Sequence, residues 1–329
     1  MDVLGIDLAK LTFDATVQTA TGAHQYQAFP NTPDGFAQLT DWLIRLGVTH
    51  VHACMEATNI SWEALATWLH ARGHTVSVVN PARIKGYAQA TMQRNKTDKL
   101  DSVIIASFCA THQPTAWEPM SEVRQHLRAL VRHRDDLLQT QLQHTNRLRD
   151  TTDALVRQSL DAILKVVATQ IQEVDQAITA HMKANPELRT NLKLLTSIVG
   201  IGTVTAAKLL AEFAAMDQYD SARSAAADTG VTPSQYESGT SVRRRPRMSK
   251  MGNANLRSAL YWPAITAMTH CPAVKAFAAR LAANNKPKKV IIGAVMRKLV
   301  HIIYGVLKHQ TPYDPAKVLG PSAKQPKPL

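Results

Sequence analysis

The sequence predicts a mixed α/β domain followed by long helices and a mostly helical C-terminal domain, and three observations carry that prediction. The apolar run 3–7 is followed by two more strand-like patterns and then by alternating helix and strand patterns, as in a mixed sheet with helical crossovers. No glycine occurs between Gly86 and Gly200 and no proline between Pro119 and Pro186, across a stretch with helically spaced apolar residues. Charge is also uneven. Residues 1–118 hold 8 Lys/Arg against 10 Asp/Glu, whereas residues 187–329 hold 21 against 7.

Taken in order, residues 3–7, 12–19 and 24–29 read as strands, with Phe13, Ala15 and Val17 alternating and a turn at Thr21-Gly22. Thr32-Pro33-Asp34 opens a helix over 33–46, whose Phe36, Leu39, Leu43 and Leu46 share one face. A strand over 50–56, a helix over 61–72 stopped by Gly73 and a strand over 75–79 ended by Asn80-Pro81 continue the alternation. A helical stretch from Ala82 leads to Lys96, and Thr97 or Asp98 starts the next helix. Leu127, Leu130, Leu137, Leu142, Leu148 and Leu155, then Ile163, Val167, Val174 and Ile178, predict long paired helices over 119–186. Their imperfect heptads favour a coiled-coil dimer over an intramolecular hairpin. The remaining boundaries are a domain over 187–311, with helices over 255–269, 273–284 and 289–308, and a mobile basic tail over 312–329.

With 329 residues the chain has room for two or three domains. Cys54, Cys109 and Cys271 are three scattered cysteines without CxxC pairing, which points to a reducing, cytoplasmic setting and away from a zinc knuckle. Apolar runs are broken by charge before the roughly 20 residues a bilayer span needs, so no membrane role is expected. The net charge of +13, concentrated at the C-terminal end, points to a polyanion such as DNA or RNA.

The candidate chemistry lies in four acids. Asp7 ends the first apolar strand, Glu56 ends another, and Asp98 and Asp101, three apart, share a helix face. Hard oxygen ligands of this kind suit Mg²⁺ and predict a metal site for phosphodiester chemistry with two ions. Strand, hairpin and strand followed by a helix and an acid-bearing strand is also the layout of ribonuclease-H-like nucleases. Taken singly, each acid reads as a cap or solvated charge. The sugar-kinase/actin ATPase architecture also begins with an acid after a glycine-containing strand, but needs later glycine-rich phosphate loops that are missing between Gly86 and Gly200.

Further along, Gly200-Ile201-Gly202 between two short helices matches a helix-hairpin-helix, in which backbone N–H groups approach a phosphate. Beyond it, Ser238-Gly239-Thr240-Ser241 sits beside Arg243, Arg244, Arg245, Arg247 and Lys250, a place where a phosphodiester is held and attacked. Lys286, Lys288 and Lys289 extend the nucleic-acid-binding set.

These stretches together carry a resemblance. Asp7 in GIDLAK, Glu56 in MEAT, Asn80-Pro81, Asp98 and Asp101 in KTDKLD, the GIG turn, TPSQYESGTS and RMSK look like the DEDD transposases of insertion-sequence family 110, the bridge-RNA-guided recombinases. The match runs in order over nearly the whole chain. The resemblance implies a RuvC-like domain holding Mg²⁺ at the four acids, a coiled-coil segment, and a transposase domain whose serine, here Ser238, attacks DNA to give a phosphoserine intermediate. It further implies a structured guide (bridge) RNA that pairs with target and donor double-stranded DNA, and a homo-oligomer, a dimer building to a tetramer in the active complex. Asn59-Ile60-Ser61-Trp62 departs from the family, which often has a glycine and an aromatic there. Ser241 lies close enough that physics alone does not choose it or Ser238. The alternative is a junction-resolvase-like metal-dependent nuclease without a covalent intermediate; a non-catalytic nucleic-acid scaffold is a third reading.

Overall fold

The computed structural model describes residues 2–19, 21–57, 61–92, 97–214, 216–238 and 242–315, excluding the side chains of residues 217, 238 and 242–245. The described chain separates into two compact units, Met1–Pro119 and Met120–Leu329.

The first unit begins with β1 (Asp2–Leu8), β2 (Thr12–Gln18) and β3 (His24–Pro30), a meander whose members pair antiparallel. Then come α1 (Pro33–Arg45), β4 (Val51–Glu56), α2 (Trp62–Ala71), β5 (Thr75–Val79), α3 (Pro81–Ala90) and α4 (Asp98–His112). β4 pairs parallel with β1, and β5 with β4, so the sheet order is β3-β2-β1-β4-β5. Three antiparallel strands followed by two parallel ones in this order form the ribonuclease-H-like sheet expected from the sequence.

Alternation along the strands sorts side chains onto two faces. Leu4, Ile6, Phe13, Ala15, Val17 and Met55 face α1 and α2, with Phe36, Leu39, Trp42 and Leu65 closing that core. Val3, Cys54 and Val79 face α3 and α4, meeting Ile84, Ile105, Phe108 and Cys109. Caps fix where the helices begin. Thr32 accepts from the Gly35 N–H, Asn80 from Ala82, and Thr97 from Leu100. Asn80-Pro81 therefore has a local task, starting α3 with a cap and a proline in its first turn.

The second unit opens with α5 (Glu122–Asp150) and α6 (Ala154–Ala184), which lie against each other as a hairpin within one chain. Leu127 and Val131 meet Val174, Ile178 and Met182, and Arg134 pairs with Asp175 across them. Arg157 donates to the carbonyls of Leu148 and Thr151 and closes the tip. This is the intramolecular pairing; near the tip Leu142, Leu155, Ile163 and Val166 stay exposed.

There follow α7 (Pro186–Thr196), α8 (Thr203–Glu212), α9 (Ala222–Asp228), the antiparallel ribbon β6 (Pro233–Ser238) and β7 (Val242–Met248), α10 (Ala254–Ala259), α11 (Tyr261–His270), α12 (Pro272–Ala283) and α13 (Lys288–His309). The helix expected over 255–269 is broken at Leu260. Pro263, in the first turn of α11, lacks an N–H and its ring crowds the carbonyl four residues back, so one helix becomes two. α13 bears on the membrane expectation. It is long and apolar enough to cross a membrane by length and composition, yet Val295, Leu299, Val300 and Ile303 are fully buried in the core of this unit, against α7, α9, α11 and α12.

Candidate active site and nucleic-acid interface

Register builds the acid face. Gly5 lies under α4, where an added Cβ would come within 2.2 Å of the Ser102 carbonyl and 2.3 Å of the Ala106 nitrogen. Only glycine lets the helix backbone this close to the strand. Asp7 is two residues on and shares that face; directly across the β1–β2 pairing stands Asp14. On the other side Ile6 pairs with Met55, so Glu56 falls beside Asp7 one step further along the same parallel ladder. Three adjacent strands thus present Asp14, Asp7 and Glu56 side by side toward the helix that begins with Asp98 and Asp101.

Several contacts fix the N-terminal end of α4 over this row. The Thr16 and Ser102 hydroxyls lie 2.7 Å apart. Tyr26 donates to Asp14 at 2.5 Å, and the Lys99 ammonium sits 5.0 Å from the Tyr26 ring centre. The hydrogen bond to Asp14, burial and the charges of Asp14 and Asp98 push the Tyr26 phenol up to about 12, so it remains a donor. Asn31 ties the neighbouring loops together by donating to the carbonyls of Ala9 and Ser61. Cys54 is fully buried on the same face; its hydrogen bond to Cys109, then burial, push its thiol up, which keeps it neutral.

The four expected acids therefore share one sheet face and the first turn of one helix, but they do not form a closed ligand cluster. Among the described residues no three His, Cys, Asp or Glu side chains are gathered tightly enough to hold a metal ion. Asp98 is exposed, and only Thr97 separates it from residues 93–96, which lie outside the described residues. The donor chemistry fits a hard divalent cation; closing the cluster requires the carboxylates to move inward. Asp14 is the acid that sequence reasoning missed, and its signal was the short β1–β2 turn that pairs it with Asp7.

In the second unit Ser238 ends β6 and pairs across the ribbon with Val242; its side chain, and all of Ser241, lie outside the described residues. Arg243 and Arg244 occupy β7 opposite Glu237 and Tyr236, with their side chains and that of Arg245 likewise undescribed. Arg247, Lys250, Lys286, Lys288 and Lys289 are exposed. The GIG segment does join two helices, α7 and α8. Gly200 adopts φ +98°, and a Cβ there would lie 2.7 Å from the Pro263 carbonyl, so its requirement is turn geometry and packing. Gly202 caps α8 and faces open space.

The ribbon's base is held by a buried polar knot that the sequence did not reveal. Ser249 N–H donates to the Thr232 carbonyl, Lys250 to Gly230 and Asn253 to Asp228. Glu212, 8% exposed, accepts two bonds from Arg132 (2.7 and 3.0 Å) and one each from the Asn253 and Asn255 amides (2.9 and 3.1 Å). Burial alone would raise the Glu212 carboxyl, but these donors outweigh it and hold it below the ordinary carboxylate range. The Asp228 carboxylate accepts from the Tyr219 hydroxyl, and the desolvation of the carboxyl shifts it upward.

The sequence of the whole chain decides what these two surfaces belong to. Residues 4–156 match the DEDD transposase model of IS110, and residues 192–279 match the transposase model of the IS116/IS110/IS902 family. The pilin gene-inverting protein of Moraxella bovis is 34% identical over 314 residues, covering 94% of this chain and 97% of that protein. The chain belongs to the IS110 family of transposases. It is therefore a DNA transposase/recombinase, of the class that cleaves DNA and transfers strands. The transposase for insertion sequence element IS1328 of Yersinia enterocolitica is 26% identical, over 78% of this chain and 81% of that one. Thermus thermophilus RuvC superposes with a TM-score of 0.26 at 16% identity over 35% of this chain and 99% of that one, a likeness too weak to argue from. For this IS110-family chain the ribonuclease-H-like assignment of the first unit rests on its own sheet order.

Proposed function

We propose that this transposase cuts and rejoins donor and target DNA through Ser238, with Mg²⁺ held by Asp7, Glu56, Asp98 and Asp101 and the sites chosen by a structured guide RNA. The observation that carries the metal part is the row of carboxylates across three adjacent strands beneath the acidic first turn of α4. When bound, the metal supplies charge neutralisation at the phosphate and stabilises the leaving oxygen. The chain's own residues do the rest. Gly5 sets the height of α4, Thr97 fixes its first turn, and Asn31 ties the loops flanking Asp7 and Glu56.

At Ser238 the hydroxyl oxygen forms an ester with a DNA phosphorus, one backbone P–O bond breaks, and the departing deoxyribose hydroxyl takes up a proton. Attack by the hydroxyl of the exchange partner reverses each change, so rejoining needs no external energy source. The arginines on β7 and Lys250 neutralise phosphate, and the open N-terminus of α8 at Gly202 offers backbone N–H groups to another. Family membership supports the DNA reaction; the guide RNA and the oligomer extend the family resemblance to this chain.

A covalent adduct tests the reading. Incubation with Mg²⁺, guide RNA and end-labelled DNA should trap labelled protein on a denaturing gel in the wild type and in Ser241→Ala, and none in Ser238→Ala. Cleavage without any adduct would instead support hydrolysis by a junction-resolvase-like nuclease, and binding without cleavage would support the scaffold reading.

A further inference from the structure

The surface of the second unit holds an open cavity of about 790 Å³, lined by Met248 at the end of β7, by the start of α8 and by the start of α11. Three cationic side chains border it, Lys208, Arg257 and Lys289. Two aromatic rings stand at its wall. Trp262 is 71% exposed and Tyr261 43%, with ring centres 5.5 Å apart and planes at 82°. A tryptophan is ordinarily among the more buried side chains, so an indole left this open beside a charged cavity is unusual.

We propose that this cavity takes an unpaired nucleotide of the DNA strand being cut, its base stacked on Trp262 and its phosphate among Lys208, Arg257 and Lys289. The inference rests on the reading of Ser238 given above. Every base offers a π-face to an indole, and an adjoining cluster of cations follows the backbone, the combination that single-stranded nucleic-acid sites use. Two of these cations are held in place by contacts behind the cavity, Lys208 by an ion pair with Asp135 on α5 and Arg257 by donating to the carbonyls of Thr229 and Lys250 at the ribbon's base. The start of α8 adds the open N-terminal turn at Gly202 and Thr203.

Position argues for the cut strand. Met248 pairs with Pro233 at one end of the ribbon and Ser238 with Val242 at the other. Five strand steps at about 3.3 Å each separate the cavity from the serine by roughly 17 Å, a few nucleotides of an unstacked strand. DNA is the polymer that the family acts on, which favours a DNA nucleotide over RNA in this pocket.

Trp262 is the only tryptophan after Trp117, so its fluorescence reports on the pocket in the full chain, read as the difference between wild type and Trp262→Phe. Titration with oligo(dT) should quench the Trp262 signal. Trp262→Ala should weaken oligo(dT) binding about tenfold, Trp262→Phe only slightly, and Lys289→Gln should reduce the salt slope by about one. Duplex binding should stay unchanged in both Trp262 variants. Equal oligo(dT) affinity in wild type and Trp262→Ala, or tighter binding of oligo(rU) than oligo(dT) at Trp262, would overturn the inference. The adduct assay at Ser238 is read separately. If the adduct forms and the titration fails, the pocket alone falls; if the titration succeeds without an adduct, the pocket stands and the covalent mechanism falls.

Discussion

The two units carry their proposed reactive groups in opposite ways. In the first, Asp7 and Glu56 end adjacent strands in the middle of a five-stranded sheet, with α4 packed so closely that only Gly5 fits beneath it. In the second, Ser238 ends one strand of a two-stranded ribbon whose middle is irregular, with a register shift between Ser234 and Tyr236. A two-stranded ribbon is marginal alone. Its position is borrowed from the knot at its base, where Arg132, Asn253 and Asn255 converge on Glu212. The difference suits the two tasks proposed for them. Metal ligands must keep a geometry set by the ion, whereas a nucleophile that forms and releases an ester with two exchanging strands benefits from a support that yields.

The sharpest way to break this comparison is to remove one group from each unit. Asp7→Asn and Ser238→Ala should each lower DNA cleavage on the order of 10³-fold or more. Mg²⁺ held at the acids as proposed should raise the melting temperature of the free protein, since ligand binding stabilises the state that binds, and only Asp7→Asn should also abolish that rise. Thermal melts with and without Mg²⁺ check this. An unchanged Mg²⁺ effect in Asp7→Asn would remove the acids from metal binding.

Breaking the knot should cost stability before chemistry. Glu212→Ala leaves the Arg132 guanidinium and two amides without their acceptor; with Arg132 partly exposed, the loss should be about 2–4 kcal/mol. The pH dependence follows from the direction of the shift. Because Glu212 is depressed in the folded protein, its contribution is present above the ordinary carboxylate value and disappears as pH falls through its lowered value. Asp228 is raised, so it acts oppositely and its contribution fades as pH rises. Melting temperature measured in acid should therefore fall less steeply for Glu212→Gln than for the wild type.

Gly5→Ala is the corresponding test in the first unit. A methyl group meeting the α4 backbone must push the helix away, at about 1–3 kcal/mol, and carries Asp98 and Asp101 with it. Weaker Mg²⁺ stabilisation together with a lower melting temperature is the expected result; a lower melting temperature alone would separate helix height from metal binding.

How much of this was readable beforehand follows the range of the interactions. Strands and helices of the first unit could be placed because alternation, caps such as Thr32 and Asn80, and stops such as Gly73 are local signals. Asp98 and Asp101 could be assigned to one helix face from their spacing, and Asp7 and Glu56 to the ends of apolar strands, because those too are local signals. Asp14 escaped because its importance lies in register, and Glu212 because all its partners are far away in sequence. The break at Leu260 was hidden by continuous apolar spacing through Pro263. α13 shows the limit of hydropathy, since a core helix and a membrane span have the same composition until packing is known.

The smallest effect concerns the long hairpin, where the comparison turns from catalysis to assembly. α5 and α6 cover one another along the stretch from Leu127 and Val131 to Ile178 and Met182, yet toward the tip Leu142, Ile163 and Val166 remain open to solvent. Exposed single apolar residues are common, but three on one hairpin end are where the homo-oligomer proposed for this chain would find a seam for a second copy. Replacing Leu142 and Val166 by Glu should change monomer stability by no more than about 0.5 kcal/mol, because neither side chain is buried within the chain. The same substitutions should shift the molar mass seen by light scattering toward the monomer. Unchanged mass would leave the hairpin as an internal strut and send the search for the oligomer interface elsewhere.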